Sequence, residues 1–171
     1  MIDLEGKRAL VTGGARGIGA AIAVALAENG ADVAFTYQQS TEKAEAVAKF
    51  IADKGRRAIA IQADSANPQA IECAVAQAIS TLGGLDILVN SAAIGLNGMI
   101  ADIDVDDYQA LMDINVRGPV LFAKAVIPHL PRWRKNHHNW LGTGRAGALC
   151  GCNSLCNVQV GVARIHPGFV T

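Results

Sequence analysis

Residues 8–19, RALVTGGARGIG, contain the pattern from which the fold class is predicted. Its first part, residues 8–12, is a short apolar run that indicates a buried strand ending in a tight turn. The glycines that follow let the main chain turn sharply and approach a bound group closely. A helix is predicted next, and Asn29-Gly30 ends it. We expect the apolar face of this helix to comprise Ile18, Ile22, Ala25 and Leu26.

Strand and helix patterns then alternate as far as residue 130. Asn67 and Pro68 together form the expected start of a helix, as N-cap and first helical residue. Alternation with short connections demands parallel strands joined by right-handed crossovers. The predicted fold class is therefore α/β, a Rossmann-type doubly wound parallel sheet in three layers, incomplete in its C-terminal half. Further strands are predicted over residues 31–37, 58–63 and 85–90, and a long helix from Asp104 into the 120s.

The composition excludes several classes of protein. The chain has 171 residues, the length of one domain, and 51% of them are apolar, which excludes global disorder. Fifteen basic residues balance fifteen acidic ones, so non-specific electrostatic binding to nucleic acid or to an anionic membrane is not expected. No apolar run reaches the roughly eighteen residues of a membrane span, and MIDLEGKRAL lacks a secretory pattern. Four cysteines do not make a disulfide scaffold, so we expect a cytoplasmic location.

The charge distribution divides the chain near Pro131. Residues 1–130 hold ten basic and fifteen acidic side chains, a net charge of −5. Residues 131–171 hold five basic side chains and no acidic one, a net charge of +5. The same tail contains both tryptophans, three of the four histidines and three of the four cysteines. We therefore predict a boundary there, with a Rossmann-type domain over 1–130 and an atypical tail over 131–171.

The turn after the first strand has the features of an anion-binding site. It follows a strand and opens a helix within a βαβ unit, which is the context that a dinucleotide-binding turn requires. Unpaired N–H groups at the helix start, together with the helix dipole, favour a diphosphate there. An ordinary tight turn is the alternative interpretation.

The glycine spacing TGxxxGxG, with three later matches, resembles the short-chain dehydrogenase/reductase family. The resemblance covers residues 3–130 and is strongest to 3-oxoacyl-carrier-protein reductase-like members, although Ala93 stands where glycine is commoner. It implies hydride transfer between NADP(H) and a small carbonyl or alcohol substrate, in a homo-oligomer. It also implies that Asn115 is catalytic, that Asp64 contacts the adenine end of the cofactor, and that residues 90–93 line the cofactor cleft. The expected cofactor-binding residues are Gly13, Arg16, Gly17, Ile18, Gly19, Asp64, Asn90 and Ala92.

The end of the second strand favours NADP(H) over NAD(H). An acid there would bond the ribose 2′-hydroxyl of NAD and repel a 2′-phosphate, but residues 36–38 are TYQ and no acid occurs before Glu42. Arg16, in the glycine-rich turn, adds a positive charge nearby. The alternatives are that Arg16 is only solvated and that NAD(H) also binds.

Asn115 is predicted to face inward on the long helix. It shares a helical face with Tyr108, Leu111 and Met112. Pro119 lies four residues later and has no N–H, so the carbonyl of Asn115 loses its helical partner. A free carbonyl would suit an ordered water, which agrees with the proton relay that the resemblance implies. A kinked helix with a satisfied core asparagine is the alternative.

The tail lacks the remaining catalytic residues that the resemblance implies, namely a Ser and a Tyr-x-x-x-Lys pair. The only tyrosines are Tyr37 and Tyr108, and no lysine follows Lys135. Read one base later, the codons of WRKNHHNW, residues 133–140, encode G-x-[KR] followed by four Ile or Thr and Gly, which resembles the family's fifth strand. Residues 155–160 can likewise encode YAMSK. We therefore hypothesise a frameshift near Pro131, which predicts an inactive chain and a bare outer edge on the fourth strand.

Other interpretations of the tail are weaker. An internal deletion would explain HPG at residues 166–168, and scattered basic residues with two tryptophans could contact RNA. A zinc site is a third possibility, but its cysteine spacing fits no structural pattern, so no metal is expected. The competing function is a non-enzymatic nucleotide-binding or interaction fragment. The candidate zinc ligands are His137, His138, Cys150, Cys152 and Cys156.

Overall fold

One sheet forms the centre of the computed structural model, which describes residues 3–130 and 161–163. The order of strands across the sheet is β3-β2-β1-β4-β5, and β1 to β4 are parallel to one another. This arrangement confirms the predicted doubly wound sheet. The strands are β1 (Arg8–Val11), β2 (Asp32–Tyr37), β3 (Ala58–Gln62), β4 (Ile87–Asn90) and β5 (Gly161–Ala163).

Five helices connect and cover these strands. Short 3-10 turns precede the fourth helix and follow the fifth, and a π turn joins those two helices into one rod. Within the described ranges, no helix has both the length and the apolar character that a membrane span needs. The helices are α1 (Gly17–Glu28), α2 (Thr41–Asp53), α3 (Pro68–Leu82), α4 (Val105–Met112) and α5 (Gly118–Val126), and the π turn is Asp113–Arg117.

Two apolar cores lie on opposite faces of the sheet, which confirms the three layers. Successive strand residues point to opposite faces, so Val11 belongs to the core shared with α1 and α2. Leu10 belongs to the core shared with α3 and α5. The central strands are buried on both sides, as near-continuous apolar strands must be.

The face that α1 presents to the sheet differs from the expected one. Gly19, Ala23 and Ala27 are buried, whereas Ile18 is 52% exposed. Ile22 and Leu26 pack at the margin of the core. The predicted face was wrong because it was chosen by hydrophobicity alone. Small side chains let this helix lie close to the sheet, so the size of a residue decides whether it faces the sheet.

The start and end of α3 follow the predicted local rules. The Asn67 side chain accepts hydrogen bonds from the N–H groups of Gln69 and Ala70 over 2.9 and 3.2 Å. Pro68 occupies the first turn, where its missing N–H costs nothing. Gly83 ends the helix with a φ of 80°, a left-handed conformation that glycine adopts without strain.

Arginine–aspartate pairs hold the edge of the sheet opposite the carboxyl ends of the strands. The Arg57 Nε lies 2.8 Å from the Asp32 carboxylate, and the Arg57 Nη2 donates to the carbonyl of Leu82 at the end of α3. Partial burial raises the pKa of Asp32, but hydrogen bonds from the main chain and guanidinium of Arg57 outweigh it, so this pKa is lowered. The pair therefore fastens α3 to β2 through a carboxylate that stays charged.

The long helix opens into a π turn at Asp113–Arg117. Pro119 has no N–H for the carbonyl of Asn115, and its ring clashes with that carbonyl in a regular α-helix. The Gly118 N–H instead donates to the carbonyl of Asp113, five residues back. The predicted disturbance at Pro119 is thus a local widening of the helix.

The expectation of a bare outer edge on β4 was wrong. Residues Gly161–Ala163 pair with β4 in antiparallel register, with Gly161 opposite Asn90 and Ala163 opposite Leu88. The hydrogen bonds between two paired strands join main-chain groups only. A short segment of almost any sequence can therefore pair with an open strand edge. The remainder of the tail, residues 131–160 and 164–171, lies outside the described residues, and so do the predictions made for it.

Candidate functional site

A cleft of about 410 Å³ lies at the carboxyl ends of the parallel strands. Ligands of open α/β sheets bind at this edge, where the strand order changes direction. Here the order turns between β1 and β4, since β1 is flanked by β2 on its other side. The lining comes from residues 13, 15–19, 36–40, 63, 65, 91–94 and Ile114.

Glycines bring main chain into close approach at the base of the cleft. Gly13 has a φ of +68°, and a Cβ there would lie 2.9 Å from the Cα of Ala92. A Cβ on Gly19 would lie only 2.3 Å from the carbonyl oxygen of Gly13. Around Gly17, by contrast, a Cβ would meet nothing within 4 Å. The turn is packed on its inner side and open where a ligand would enter.

Two buried threonine hydroxyls fasten this turn to its neighbours. The Oγ1 of Thr12 accepts hydrogen bonds from the N–H groups of Ser91 and Ala92 over 2.9 and 3.0 Å. The Oγ1 of Thr36 accepts the Gly13 N–H over 3.2 Å, and its carbonyl accepts an N–H from the turn as well. Both threonines are 1% exposed. These bonds fix the β1, β2 and β4 walls of the cleft relative to one another.

The N-terminus of α1 points a helix dipole at the cleft. Arg16 is the N-cap residue, and its side chain makes no capping hydrogen bond. No acidic residue occupies the first turn. The start of this twelve-residue helix therefore keeps N–H groups and positive potential available to an anion.

The end of β2 forms the far wall of the cleft. Tyr37, Gln38, Gln39 and Ser40 line it. Among the lining residues in the described part of the chain, Arg16 is the one that carries a charge. The nearest acid along the chain, in the first turn of α2, is not part of the lining. Within the described residues, the lining of the cleft thus presents positive charge and no carboxylate.

Six of the eight expected cofactor-binding residues line the cleft, and two do not. Asp64 uses its Oδ1 to accept the Ala66 N–H over 2.9 Å, while Ala63 and Ser65 on either side face the cleft. Asn90 lies behind the lining, and its Oδ1 is buried without a hydrogen-bond partner in the described part of the structure. The six that line the cleft are Gly13, Arg16, Gly17, Ile18, Gly19 and Ala92.

Asn115 lies beside the cleft and holds one of its loops. Its Oδ1 accepts the Ile94 N–H over 2.9 Å, and its Nδ2 donates to the Ile94 carbonyl over 2.8 Å. Ile94 lines the cleft, and so does Ile114, the neighbour of this asparagine. The expected inward orientation of Asn115 agrees with this half-buried geometry, whereas Tyr108 on the same predicted face is 50% exposed.

Several lining residues were missed by sequence reasoning. Gln39, Ser40 and Ser65 carry no motif of their own, but each follows a predicted strand. Their position at carboxyl strand ends was the available signal. Within the described residues, no group of three or more potential metal ligands occurs. The histidines and cysteines of the alternative zinc site lie outside those residues.

Fold and cleft together define a class, that of Rossmann-type α/β domains whose ligand site lies at the carboxyl edge of the sheet. Comparison with known proteins narrows this class to one family. The family model described as short chain dehydrogenase matches residues 7–137. The chain belongs to this family of NAD(P)-dependent oxidoreductases.

Relatives with solved structures share the fold closely. A short chain dehydrogenase from Burkholderia cenocepacia, solved in complex with NADP, is 55% identical with a TM-score of 0.73, covering 74% of this chain and 52% of that one. A blue fluorescent protein from a metagenomic library, solved with NADPH, is 50% identical with a TM-score of 0.73, covering 75% and 53%.

Curated relatives match the same region. Versicolorin reductase of Emericella nidulans is 43% identical over 127 residues, 74% of this chain and 48% of the relative. A 3-oxoacyl-(acyl-carrier-protein) reductase of Staphylococcus aureus is 38% identical over 128 residues, 75% and 52%. The chain spans about half the length of the curated relatives it matches.

Proposed function

We propose that this chain binds NADP(H) in the cleft at the carboxyl edge of the sheet. The observation that carries the proposal is the charge of the lining, in which Arg16 is accompanied by no carboxylate among the residues that the structure describes. A 2′-phosphate at the end of β2 would be attracted there, while the hydroxyl of NAD would find no carboxylate partner. Two similar structures solved with NADP or NADPH support the same preference.

The residues present fit a dinucleotide. Gly13 and Gly19 form a cradle that any Cβ would fill, and Gly17 leaves open space at the start of α1. The diphosphate would be held by N–H groups from Gly17 to Gly19, with Ile18 flanking it. Asp64 and Asn90 would act indirectly, by shaping the loop after β3 and the end of β4, because neither faces the cleft. Ala92 would support the cradle from the β4 side.

The cofactor supplies hydride in this family, and the protein must supply a positioned proton donor for a carbonyl or alcohol substrate. Asn115 holds the loop at Ile94 and is proposed as the one catalytic residue kept in this sequence. Neither tyrosine suits the role of donor. Tyr37 lines the cleft at the end of β2, and Tyr108 is followed four residues later by Met112 rather than a lysine.

We further infer that the chain turns over near background. Loss of positioned acid/base help costs about 10²–10⁴-fold in rate, before any loss of substrate orientation. The proposed cause is a change of reading frame near Pro131, because the codons of residues 133–140 read one base later encode a strand pattern that resembles the family's fifth strand. Reading the coding DNA tests this directly. A hidden frame that lacks a fifth strand and Tyr-x-x-x-Lys would refute it.

The binding experiment is a calorimetric titration of the purified chain with NADPH and NADH. Arg16→Gln should weaken NADPH binding about tenfold, or about 1.4 kcal/mol, and leave NADH nearly unchanged. Lys7→Gln removes the same charge at the opposite edge of the sheet and is the matched control. Equal losses in both variants, or equal losses for both cofactors, would contradict the role of Arg16.

The turnover experiment separates an enzyme from a nucleotide-binding fragment. NADPH oxidation is followed at saturating cofactor with a panel of small ketones, with heat-treated protein as the blank. Binding without ketone-dependent oxidation is the expected result. This outcome would support the inactive assignment, and the alternative function is then a nucleotide-binding or interaction fragment without catalysis. Robust turnover by the pure chain would contradict the inactive assignment.

A further inference from the structure

The π turn of the long helix contacts a second loop of the cleft, in addition to the loop that Asn115 holds. The Arg117 Nη2 donates to the carbonyl oxygen of Ala66 over 2.9 Å. Gly118 is buried against the same loop, and a Cβ there would lie 2.7 Å from the carbonyl oxygen of Ser65. One turn of the helix therefore contacts the β3–α3 loop, residues 63–67, through the side chain of Arg117 and the main chain of Gly118.

The arginine is itself held in place along the helix. Its Nη1 lies 3.1 Å from the Asp113 Oδ1, one helical turn earlier. Gln109 donates a hydrogen bond to the same Oδ1 over 3.1 Å. These contacts orient the guanidinium toward Ala66. Because the π turn adds one residue to this stretch of helix, it also sets the direction in which Arg117 and Gly118 project.

The loop that they contact borders the cleft. Ala63 and Ser65 belong to the lining, at the carboxyl end of β3. Asp64 folds back onto the Ala66 N–H, so it braces the loop internally rather than against the helix. The position of Ser65 relative to the sheet therefore depends on the contact with the π turn.

We propose that Arg117 and Gly118 are positioning residues that set the β3–α3 loop against the adenine half of the bound dinucleotide. The inference rests on the proposed NADP(H) site, because a loop without a ligand would have nothing to discriminate. A looser or displaced loop weakens contacts with the adenosine end and admits a bulkier base. The nicotinamide end, on the Asn115 side of the cleft, is unaffected.

The test uses three probes and four variants of the full chain. The probes are adenosine 2′,5′-bisphosphate, which reports the adenosine end, and NADP⁺ compared with 1,N⁶-etheno-NADP⁺, whose base is larger. Arg117→Met removes the donor, and Arg117→Lys keeps a charged donor. Gly118→Ala adds a Cβ against Ser65 without changing any charge. Lys124→Met removes a positive charge from α5 away from the loop and is the control.

Arg117→Met and Gly118→Ala should each weaken adenosine 2′,5′-bisphosphate binding by about threefold or more, the effect of one exposed hydrogen bond. Both should also lower the preference for NADP⁺ over the etheno analogue. Arg117→Lys should restore most of the affinity, and Lys124→Met should match the parent. The loss in Gly118→Ala is diagnostic, because alanine otherwise favours a helix over glycine.

Three results would overturn the proposal. The first is an unchanged preference between NADP⁺ and its etheno analogue in folded Arg117→Met and Gly118→Ala. The second is an equal loss in Lys124→Met, which would assign the effect to charge alone. The third is a fall in thermal stability of both variants with an unchanged preference for NADP⁺ over its etheno analogue, which would make the contact purely structural. If the parent chain bound none of the three probes, the proposed NADP(H) site itself would be refuted.

Discussion

Thr12→Val tests the clamp between the glycine-rich turn and the loop after β4. Valine has nearly the same shape as threonine, so the substitution removes the hydroxyl and leaves no cavity. Thr12 is 1% exposed, and its oxygen accepts the N–H groups of Ser91 and Ala92. Each donor left without a partner costs about 1–3 kcal/mol. Because both donor residues are half-buried, the lower part of that range applies, and the expected loss is about 2–3 kcal/mol.

The assay is urea unfolding of the full chain followed by circular dichroism, with Thr12→Ser as the matched control. Serine keeps the acceptor and loses one buried methyl group, which costs about 1 kcal/mol. The valine variant should therefore lose clearly more unfolding free energy than the serine variant, at an unchanged slope with denaturant. Equal losses in the two variants, or a loss in Thr12→Val under about 0.5 kcal/mol, would refute the clamp.

Two further predictions follow from the same structure. Asp32→Asn removes a carboxylate whose pKa is lowered in the fold, because the hydrogen bonds from Arg57 outweigh the opposing effect of burial. The stabilisation that this carboxylate contributes is complete above about pH 5 and is lost as the pH falls below about 4. The unfolding free energies of parent and variant should therefore differ by a constant amount near neutrality and converge in acid. A gap that widened in acid would contradict the sign. Gly13→Ala combines a left-handed φ with a Cβ 2.9 Å from the Cα of Ala92, whereas Gly17→Ala has the left-handed φ alone. Gly17→Ala should therefore lower the free energy of unfolding in thermal or urea experiments by about 1–2 kcal/mol, and Gly13→Ala should lower it distinctly more. Equal losses would show that the approach of the two backbones is not tight.

The parts of the fold that the sequence predicted are those in which local rules and burial agree. The parallel order of β1 to β4 follows from the alternation of strand and helix, and the start of α3 follows from an asparagine before a proline. The inward face of α1 could not be read in the same way. Its buried residues are glycine and alanine, because the distance between helix and sheet selects for size rather than hydrophobicity.

The candidate site was only partly visible for a related reason. Glycines such as Gly13 and Gly19 stand out because close approach of main chain permits no other residue there. Thr36 and Ser65 reach the cleft through the three-dimensional arrangement of strand ends, which no local motif records. Asn90 was expected in the lining but lies behind it, since a strand end presents only alternate side chains to one side. The π turn at Asp113–Arg117 follows from Pro119, yet its two loop contacts depend on the folded packing.

The proposed function depends most directly on what the cleft binds. Calorimetric titration of the purified 171-residue chain with NADPH, followed by NADH under the same salt conditions, measures this in one experiment. We expect saturable binding of one NADPH per chain, tighter than that of NADH. Absence of NADPH binding at millimolar concentration, or a preference for NADH, would contradict the proposed phosphate-selective cleft.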